Sequence, residues 1–385
     1  MTSSDNTYAI ENLNNQYLDF YKFLNLINID NKELSNFLDI SNMFNSFGIL
    51  YRGMAGKSKE NIDKHTNLKH LISVTSDMIK PSHKRTAILV RKGYTFNEDY
   101  MNTFRRNKVF SNIPTNDKMV NVINKKILKK FKRWPNEGEI FINNFPSDNP
   151  RLWVRNQSYF EGVWKTPFEK ENTILGNFNI GDDKIVELQM MHKDINDGLF
   201  SYYDNIKDCY LISIPYENDY SLLIIMPRIP QNKKQLIEFC KDCIFGTTIS
   251  DFYNKNGQII RFTHLSMPKF NFKYTWKLDE SLLKDTKRSK ALNNYCPYMK
   301  YILDENLNLQ NMITNFDTNS DSITIESKTE IDNKESGTFV TSTTDIFEYD
   351  FVQKTNFIMN IDRGFIFAIL NQKSILCSIG LFNGI

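Results

Sequence analysis

The most distinctive part of the sequence is the segment Asn156-Gln157-Ser158-Tyr159-Phe160-Glu161-Gly162-Val163-Trp164-Lys165-Thr166-Pro167-Phe168, which Thr173 follows closely. It is rich in aromatic residues, and the apolar triplet Leu152-Trp153-Val154 stands just before it. This composition predicts a β-strand that lies in the core. Asn156 also opens an N-x-S glycosylation sequence, which we interpret as structural because a core strand would hide it.

On the N-terminal side of this segment the pattern is mostly helical. Apolar residues recur at spacings of three and four, as on one face of a helix, at Ile10, Leu13, Tyr17, Phe20, Leu24 and Ile27. Further helices are predicted from about Met43 to Tyr51, ending near Gly53, and from Lys118 to Arg133. The last helix is rich in lysine, which we interpret as a solvated face in preference to a polyanion site.

On the C-terminal side the pattern is that of β-strands. Residues 207–214 and 220–226 predict a hairpin that turns at 217–219. Further strands are predicted from Ile259 to Leu265 and beyond Pro268, and over roughly 356–370 and 374–382. Because no linker or repeat divides the chain, helices followed by antiparallel strands predict a single α+β domain over residues 1–385.

The composition is ordinary for a soluble globular protein. Hydrophobic residues make up 41 % and charged residues 24 % of 385 residues, and the formal net charge is +3. This charge is too small to indicate a nucleic acid or a membrane surface as a partner. We expect neither partner, and we expect a monomer.

The N-terminus and the cysteines favour a cytoplasmic protein. The first residues lack the basic and apolar regions of a secretory signal, and no apolar run approaches 18 residues. Five cysteines, an odd number, suggest reduced thiols. Cys240 and Cys243 form a lone C-x-x-C pair without further ligands nearby, so we predict neither a metal site nor a cofactor.

Residues 337–356 differ from their surroundings. After Gly337 the segment contains no glycine or proline, and β-branched and aromatic residues give it strand propensity. It is nevertheless polar enough to be exposed. A long loop that could also form a strand is unusual in a compact domain, and such loops are often functional.

Several motifs, in the same order along the chain, resemble those of the serpin family. The segment 156–168 with Thr173 resembles the serpin signature N-x-x-Y-F-x-G-x-W-x-x-P-F…T. Further matches, over residues 40–385, are Gly53-Met54-Ala55-Gly56-Lys57-Ser58, Ile123-Asn124, Gly138-Glu139-Ile140, Met190-Met191, Pro215-Tyr216, Met267-Pro268-Lys269-Phe270 and Arg363-Gly364-Phe365-Ile366-Phe367.

The resemblance implies a fold and a mode of action. The fold would have helices packed on a large central mixed β-sheet, smaller sheets, and an exposed reactive-centre loop at about 335–356. A protease would cleave this loop and form an acyl-enzyme, and the cut loop would insert into the sheet as a strand and distort the protease. The protein would then inhibit proteases and not be an enzyme, which agrees with the lack of G-x-S-x-G, H-E-x-x-H and phosphate-loop motifs.

The loop hinge is expected at Glu335, Ser336, Gly337 and Thr338. The family usually has a run of alanines after the hinge, whereas this chain continues with Phe339-Val340-Thr341, and Ser327 replaces a family histidine. One face of an inserted strand would be compact and uncharged, with Thr338, Val340, Ser342, Thr344 and Ile346.

Two residues are candidates for the scissile residue, whose carbonyl the protease would attack. A count of 17 from Glu335, the commonest serpin spacing, gives Phe351, which would suit a chymotrypsin-like protease. A count of 16 gives Asp350, a spacing that resembles poxviral intracellular serpins that inhibit more than one protease class. Phe347, Glu348 and Tyr349 would fill the protease subsites. The x-Glu-x-Asp pattern suits caspases or granzyme B-like proteases, and inhibition of these would block apoptosis or inflammation.

A second hypothesis is a serpin that does not inhibit but serves as a protein-binding scaffold. The altered hinge and Ser327 motivate it, since both concern the opening of the sheet. A chain of this kind would be cleaved without forming a stable complex.

Overall fold

The computed structural model describes residues 3–27, 35–78, 83–104, 109–113, 118–130, 151–204, 208–217, 220–245, 257–304, 307–314, 325–339, 357–371 and 375–384. The helices of these residues are α1 (Ser3–Ile27), α2 (Ile40–Gly53), α3 (Gly56–His65), α4 (Leu68–Met78), α5 (Glu98–Phe104), α6 (Lys118–Lys130), α7 (Lys233–Phe245), α8 (Ser281–Lys284), α9 (Thr286–Tyr295) and α10 (Met299–Ile302). No helix in these ranges is both long enough and apolar enough to cross a membrane.

Most strands of the described residues lie after residue 150. The strands are β1 (Asn36–Asp39), β2 (His83–Arg91), β3 (Val109–Ile113), β4 (Leu152–Tyr159), β5 (Gly162–Val163), β6 (Thr173–Asn179), β7 (Ile185–Asp204), β8 (Cys209–Pro215), β9 (Ser221–Pro227), β10 (Gly257–Pro268), β11 (Phe270–Leu278), β12 (Ile325–Lys334), β13 (Gly337–Phe339), β14 (Phe357–Asn360), β15 (Phe365–Leu370) and β16 (Leu376–Phe382).

The described strands include one sheet of nine strands. Its strands lie in the order β1-β16-β15-β9-β8-β7-β10-β14, and β6 pairs with β7. Every residue of β9, β15 and β16 is buried. Strands buried on both faces read as continuous apolar runs, which explains why these three do not alternate between polar and apolar residues.

The large central sheet comes in two parts. Three strands lie in the order β3-β2-β4, and four in the order β11-β12-β13-β5. The strands β3, β2, β4, β12 and β11 are the five strands of the large sheet. The parts approach each other at one end, where β5 follows β4 directly along the chain and pairs with β13. Helix α2 packs against β4. Asp39, just before the helix, caps its N-terminus, because its side chain accepts a hydrogen bond from the Asn42 amide.

The edge of β4 that faces away from β2, called here its open side, pairs with no strand of the described residues. Among the described strands, β4 forms ladder pairs with β2 alone, and β12 pairs with β11 and, near its C-terminal end, with β13. All eight residues of β4 are half-buried. A further strand that paired with this edge would break no ladder of the described residues.

Several predicted elements are confirmed, and some are corrected. The hairpin is present as β8 and β9, and the helices at 43–51 and from Lys118 are α2 and α6. The single strand predicted over 356–370 is wrong: β14 and β15 are separated by Ile361–Gly364, because the polar Asp362-Arg363 and Gly364 interrupt the apolar run. The prediction also missed β2 in the helical third of the chain, since the short apolar run Ala87–Val90 fits either element.

Candidate functional site at the loop hinge

The predicted hinge forms a tight turn between two strands. Glu335 and Ser336 connect β12 to β13, and β13 runs back antiparallel to β12. On its other side β13 pairs with β5, with Gly337 opposite Val163 and Thr338 opposite Gly162. The first residues of the predicted loop are therefore already a short strand held between the end of β12 and β5.

Glu335 is anchored inside this turn. Its side chain is only 8 % exposed, and both carboxylate oxygens accept hydrogen bonds from Lys269 Nζ at 3.1 Å. Thr173 Oγ1 donates to the same carboxylate at 3.1 Å, and the Glu335 carbonyl accepts from the Phe168 amide at 2.9 Å. A buried carboxylate is tolerated when it is paired and hydrogen-bonded in this way.

The environment of Glu335 keeps it ionised. Burial by itself raises the pKa of this carboxyl. The backbone hydrogen bond, the hydrogen bonds from Lys269 and Thr173 and the charge of Lys269 together outweigh burial and hold the pKa below its ordinary value of 4.5. The ion pair is therefore formed at neutral pH.

Trp164 holds the backbone of the turn from the other side. Its amide donates to the Ser336 carbonyl at 3.1 Å, and its indole Nε1 donates to the Lys334 carbonyl at 3.0 Å. The indole is fully buried and stacks on Tyr216, with ring centroids 4.5 Å apart. The segment that stood out in the sequence thus contacts the hinge directly.

Gly337 occupies a position that no other residue fits. Its φ is +152°, and a Cβ atom built on it would lie 2.0 Å from the carbonyl oxygen of Gly162. The close approach of β13 to β5 therefore depends on the missing side chain.

Thr338 faces into the sheet. It is fully buried, and its hydroxyl donates to Asn333 Oδ1 at 2.7 Å. Asn333 Nδ2 in turn donates to the Pro268 carbonyl at 3.1 Å, which ties the hinge to the end of β10. The small Thr338 side chain thus gives the buried amide oxygen of Asn333 a hydrogen-bond donor.

The predicted scissile residues fall outside the described part of the chain. Of the loop, the structure describes residues up to Phe339 and from Phe357 onward, so Asp350 and Phe351, and with them Phe347, Glu348 and Tyr349, are not described. After the loop, β14 runs parallel to β10, with Phe357 opposite Phe262. The hinge and β14 are the two places where the structure holds the ends of the loop.

The sequence did not reveal the partners of the hinge. Lys269 and Thr173 appeared only as motif members, although their side chains meet at the Glu335 carboxylate. The one available signal was that Lys269 is the single charged residue of the motif Met267-Pro268-Lys269-Phe270. Within the described residues, no three His, Cys, Asp or Glu side chains form a group that could hold a metal ion.

A comparison with protein families identifies the chain. A sequence model of the family described as "Serpin (serine protease inhibitor)" matches residues 31–383.

Curated relatives are distant. A serpin-like protein of Methanosarcina acetivorans is 25 % identical over 72 % of this chain and 67 % of its own length. Serpin A3-2 of Bos taurus is 30 % identical over 35 % of this chain, and the aligned part is 31 % of its length. Serine proteinase inhibitor 1 of Variola virus is 26 % identical over 61 % of this chain and 58 % of its own length.

Solved structures agree with the fold over the whole chain. A thyroxine-binding globulin in complex with thyroxine has a TM-score of 0.71 at 16 % identity, over 97 % of this chain and 98 % of that one. The cleaved Serpin 42Da has a TM-score of 0.70 at 15 % identity, with the same coverage. Serpin48 of the insect Tenebrio molitor has a TM-score of 0.68 at 16 % identity, over 100 % and 99 % of the chains.

Proposed function

Because the chain belongs to the serpin family, we propose that it is a suicide inhibitor of proteases and that the bond between Asp350 and Phe351 is its bait. The protease nucleophile attacks the Asp350 carbonyl carbon, and the bond to the Phe351 nitrogen breaks. An acyl-enzyme forms. The nitrogen of Phe351 leaves as an amine after it takes up the proton that the nucleophile has given up. Insertion of the cut loop then distorts the protease before water can release it.

The observation that carries the proposal is the position of β13. This strand is already paired on both sides, with β12 and with β5, and β5 follows β4 after two residues of the chain. Among the described strands, β4 pairs with β2 alone. A loop released at its far end can extend β13 between β12 and β4 without breaking a described ladder.

The lengths are compatible with this insertion. Residues 340–350 would follow β13 after cleavage at Asp350, and eleven residues in a strand span about 36 Å at ~3.3 Å per residue. β12 has 10 residues, which corresponds to about 33 Å. Because β13 already pairs with Asp332, Asn333 and Lys334, the released segment is more than long enough to cover the rest of β12.

The choice of Asp350 rests on local chemistry. Glu348 and Asp350 give the x-Glu-x-Asp pattern, and a basic protease pocket that buries an aspartate discriminates far better than an apolar pocket. Caspases and granzyme B-like proteases have this preference. Phe351 is the alternative, and it would direct the protein to chymotrypsin-like serine proteases; the Variola virus relative is also named as a serine proteinase inhibitor.

Incubation with candidate proteases tests the proposal. The purified protein is mixed with caspase-1, caspase-8, granzyme B and chymotrypsin, complexes are detected on denaturing gels or as lasting inhibition, and the cleaved bond is mapped by mass spectrometry. We expect inhibition with cleavage after Asp350, and Asp350→Ala should abolish it while the matched Phe351→Ala does not. Cleavage after Phe351 with a stable chymotrypsin complex would instead select the alternative.

A scaffold without inhibitory activity is the second candidate. The bulky Phe339 and Val340 replace the small residues usual after the hinge, and they would slow insertion. The similar thyroxine-binding globulin is described as a complex with thyroxine, so the fold is compatible with a binding role. Cleavage by every protease without a stable complex would favour this candidate.

A further inference from the structure

Two histidines lie close together on β7 and β10, and His192 directly follows Met191, the ladder partner of Thr173. His192 is on β7 and His264 on the antiparallel β10, where His192 is opposite Ser266 and His264 is opposite Asp194. The two histidines are therefore diagonal neighbours, and diagonal neighbours on one face of a sheet are within reach of each other. The ladder between β7 and β10 is irregular next to them, between Phe262 and His264.

The two imidazoles face each other through one nitrogen each. His192 Nδ1 and His264 Nε2 are 3.3 Å apart, and the ring centroids are 5.6 Å apart. The other nitrogen of His264, Nδ1, is 2.9 Å from Asp194 Oδ1. The Asp194 carboxylate accepts a hydrogen bond from the protonated Nδ1 of His264. In this tautomer His264 Nε2 carries no proton, and its lone pair is directed towards His192.

We propose that His192 Nδ1 and His264 Nε2 are two ligands of a zinc site, with Asp194 as a positioning residue. Zinc binds imidazole nitrogen at about 2.0–2.1 Å, so two ligands of a tetrahedral site are separated by about 3.3–3.4 Å. The observed separation matches this value. Square-planar coordination, which Cu²⁺ prefers, would need about 2.9 Å between adjacent ligands.

The arrangement around the two nitrogens favours a metal over a simple hydrogen bond. A ligating histidine commonly donates its second N–H to a carboxylate, which orients the ring and raises its basicity, and Asp194 does this for His264. On binding, the proton of His192 Nδ1 moves to its Nε2, so that both facing lone pairs are free.

The site is open towards solvent. The His264 side chain is 28 % exposed, and Asp194 is exposed at the surface. Because no third ligating side chain of the described residues joins the pair, water or a group from a binding partner completes the coordination. Two-ligand sites of this kind bind zinc more weakly than closed structural sites, which have four protein ligands.

The position gives zinc a structural effect on the far end of the loop. His264 is also opposite Ile358 of β14, the first described strand after the loop. A metal that joins His192 to His264 links β7 to β10 next to this strand and across the irregular ladder. Zinc should therefore stabilise the sheet that anchors the C-terminal end of the loop.

Metal titration of the full-length protein without a purification tag tests the proposal. Zinc binding is measured by calorimetry, Co²⁺ is used as a spectroscopic probe of tetrahedral coordination, and melting is followed with and without zinc. We expect one zinc per chain and a melting temperature that rises with zinc concentration. His192→Gln and His264→Gln should each weaken binding by at least tenfold, whereas His70→Gln, an exposed histidine on α4, should not.

The variant Asp194→Asn separates positioning from ligation. It should keep the one-to-one stoichiometry and the tetrahedral Co²⁺ spectrum but weaken binding by about 10–100-fold. If the histidine variants bind zinc as tightly as the unchanged protein, or if His70→Gln abolishes binding, the proposal is overturned. Protease inhibition by the same variants is measured separately, so failure of the zinc site and failure of the inhibitor proposal are distinguishable.

Discussion

Glu335 is an example of a charge whose burial is compensated almost completely. Lys269 supplies two hydrogen bonds and the opposite charge, and Thr173 supplies a third hydrogen bond. The Lys269 side chain is 40 % exposed and remains in contact with water. Loss of the carboxylate therefore removes the anchor of the hinge without leaving a cation buried.

Glu335→Gln should lower stability at neutral pH and have little effect in acid. We expect a loss of about 1–3 kcal/mol at pH 7 for a charged hydrogen-bonding partner. Because the folded-state pKa lies below the ordinary value of 4.5, this contribution is complete above 4.5 and disappears as the pH falls through the folded-state pKa. Urea unfolding of both proteins at pH 7 and pH 3 measures the difference.

A matched control is Glu330→Gln on the same strand. Glu330 pairs with Lys273 at 3.1 Å, but both side chains are more than half exposed. Exposed ion pairs contribute about 0–1 kcal/mol, so this change should cost little at either pH. Equal losses for the two variants would contradict the role of burial at Glu335.

Gly337→Ala should expel β13 from its place beside β5. A Cβ atom would lie 2.0 Å from the Gly162 carbonyl oxygen, which is backbone and cannot move aside easily. We expect a loss of about 3 kcal/mol or more and faster amide hydrogen exchange in the hinge. Gly93→Ala is the control, because Gly93 has φ +102° but no atom near its Cβ position; it should cost only about 1–2 kcal/mol.

In the proposed insertion the loop would extend β13, in which Thr338 is fully buried. Thr338→Arg would place a charge where the side chain is fully buried, so β13 could not extend into the sheet. We expect cleavage of the loop to continue, while the fraction of protease trapped in a stable complex falls at least tenfold. Thr338→Val keeps the shape and should retain most of the complex; gels that compare cleaved protein with complex measure both.

The sequence predicted elements with strong local signals and missed those that depend on distant partners. The hairpin of β8 and β9 was recognised because two apolar runs flank a short polar turn. The hinge residues were predicted from the family resemblance, but the Glu335–Lys269 pair, 66 residues apart in the chain, left no local pattern. Likewise, β13 is too short for its own propensity to predict it, and only its ladder partners define it.

Cleavage of the loop should make the whole molecule more stable. The inserted segment would add ladder hydrogen bonds to both β4 and β12, and it would cover the open side of β4. A domain of this size changes its melting temperature by about 2 °C or less per kcal/mol, so a rise of about 10 °C would correspond to at least ~5 kcal/mol.

Melting of intact and loop-cleaved protein, after cleavage by a protease that forms no complex, measures this gain. Thr338→Arg provides the control, because its cut loop should stay outside the sheet and its melting temperature should not rise. A cleaved protein of unchanged sequence that melts at the temperature of the intact one would support the scaffold function.

The half-buried residues of β4 bear on how an inserted loop would be aligned, because side chains alternate between the two faces of a strand with a period of two. Since all eight residues of β4 are half-buried, neither of its faces selects one alignment of an incoming strand over a shift by one residue. The pairing of Thr338 with Asn333 must set the alignment instead. Deletion of two residues between Phe339 and the scissile bond would keep the same side chains inward, whereas deletion of one would exchange every inward residue for an outward one. Natural and engineered variants of this loop should therefore differ in length by even numbers where they still inhibit.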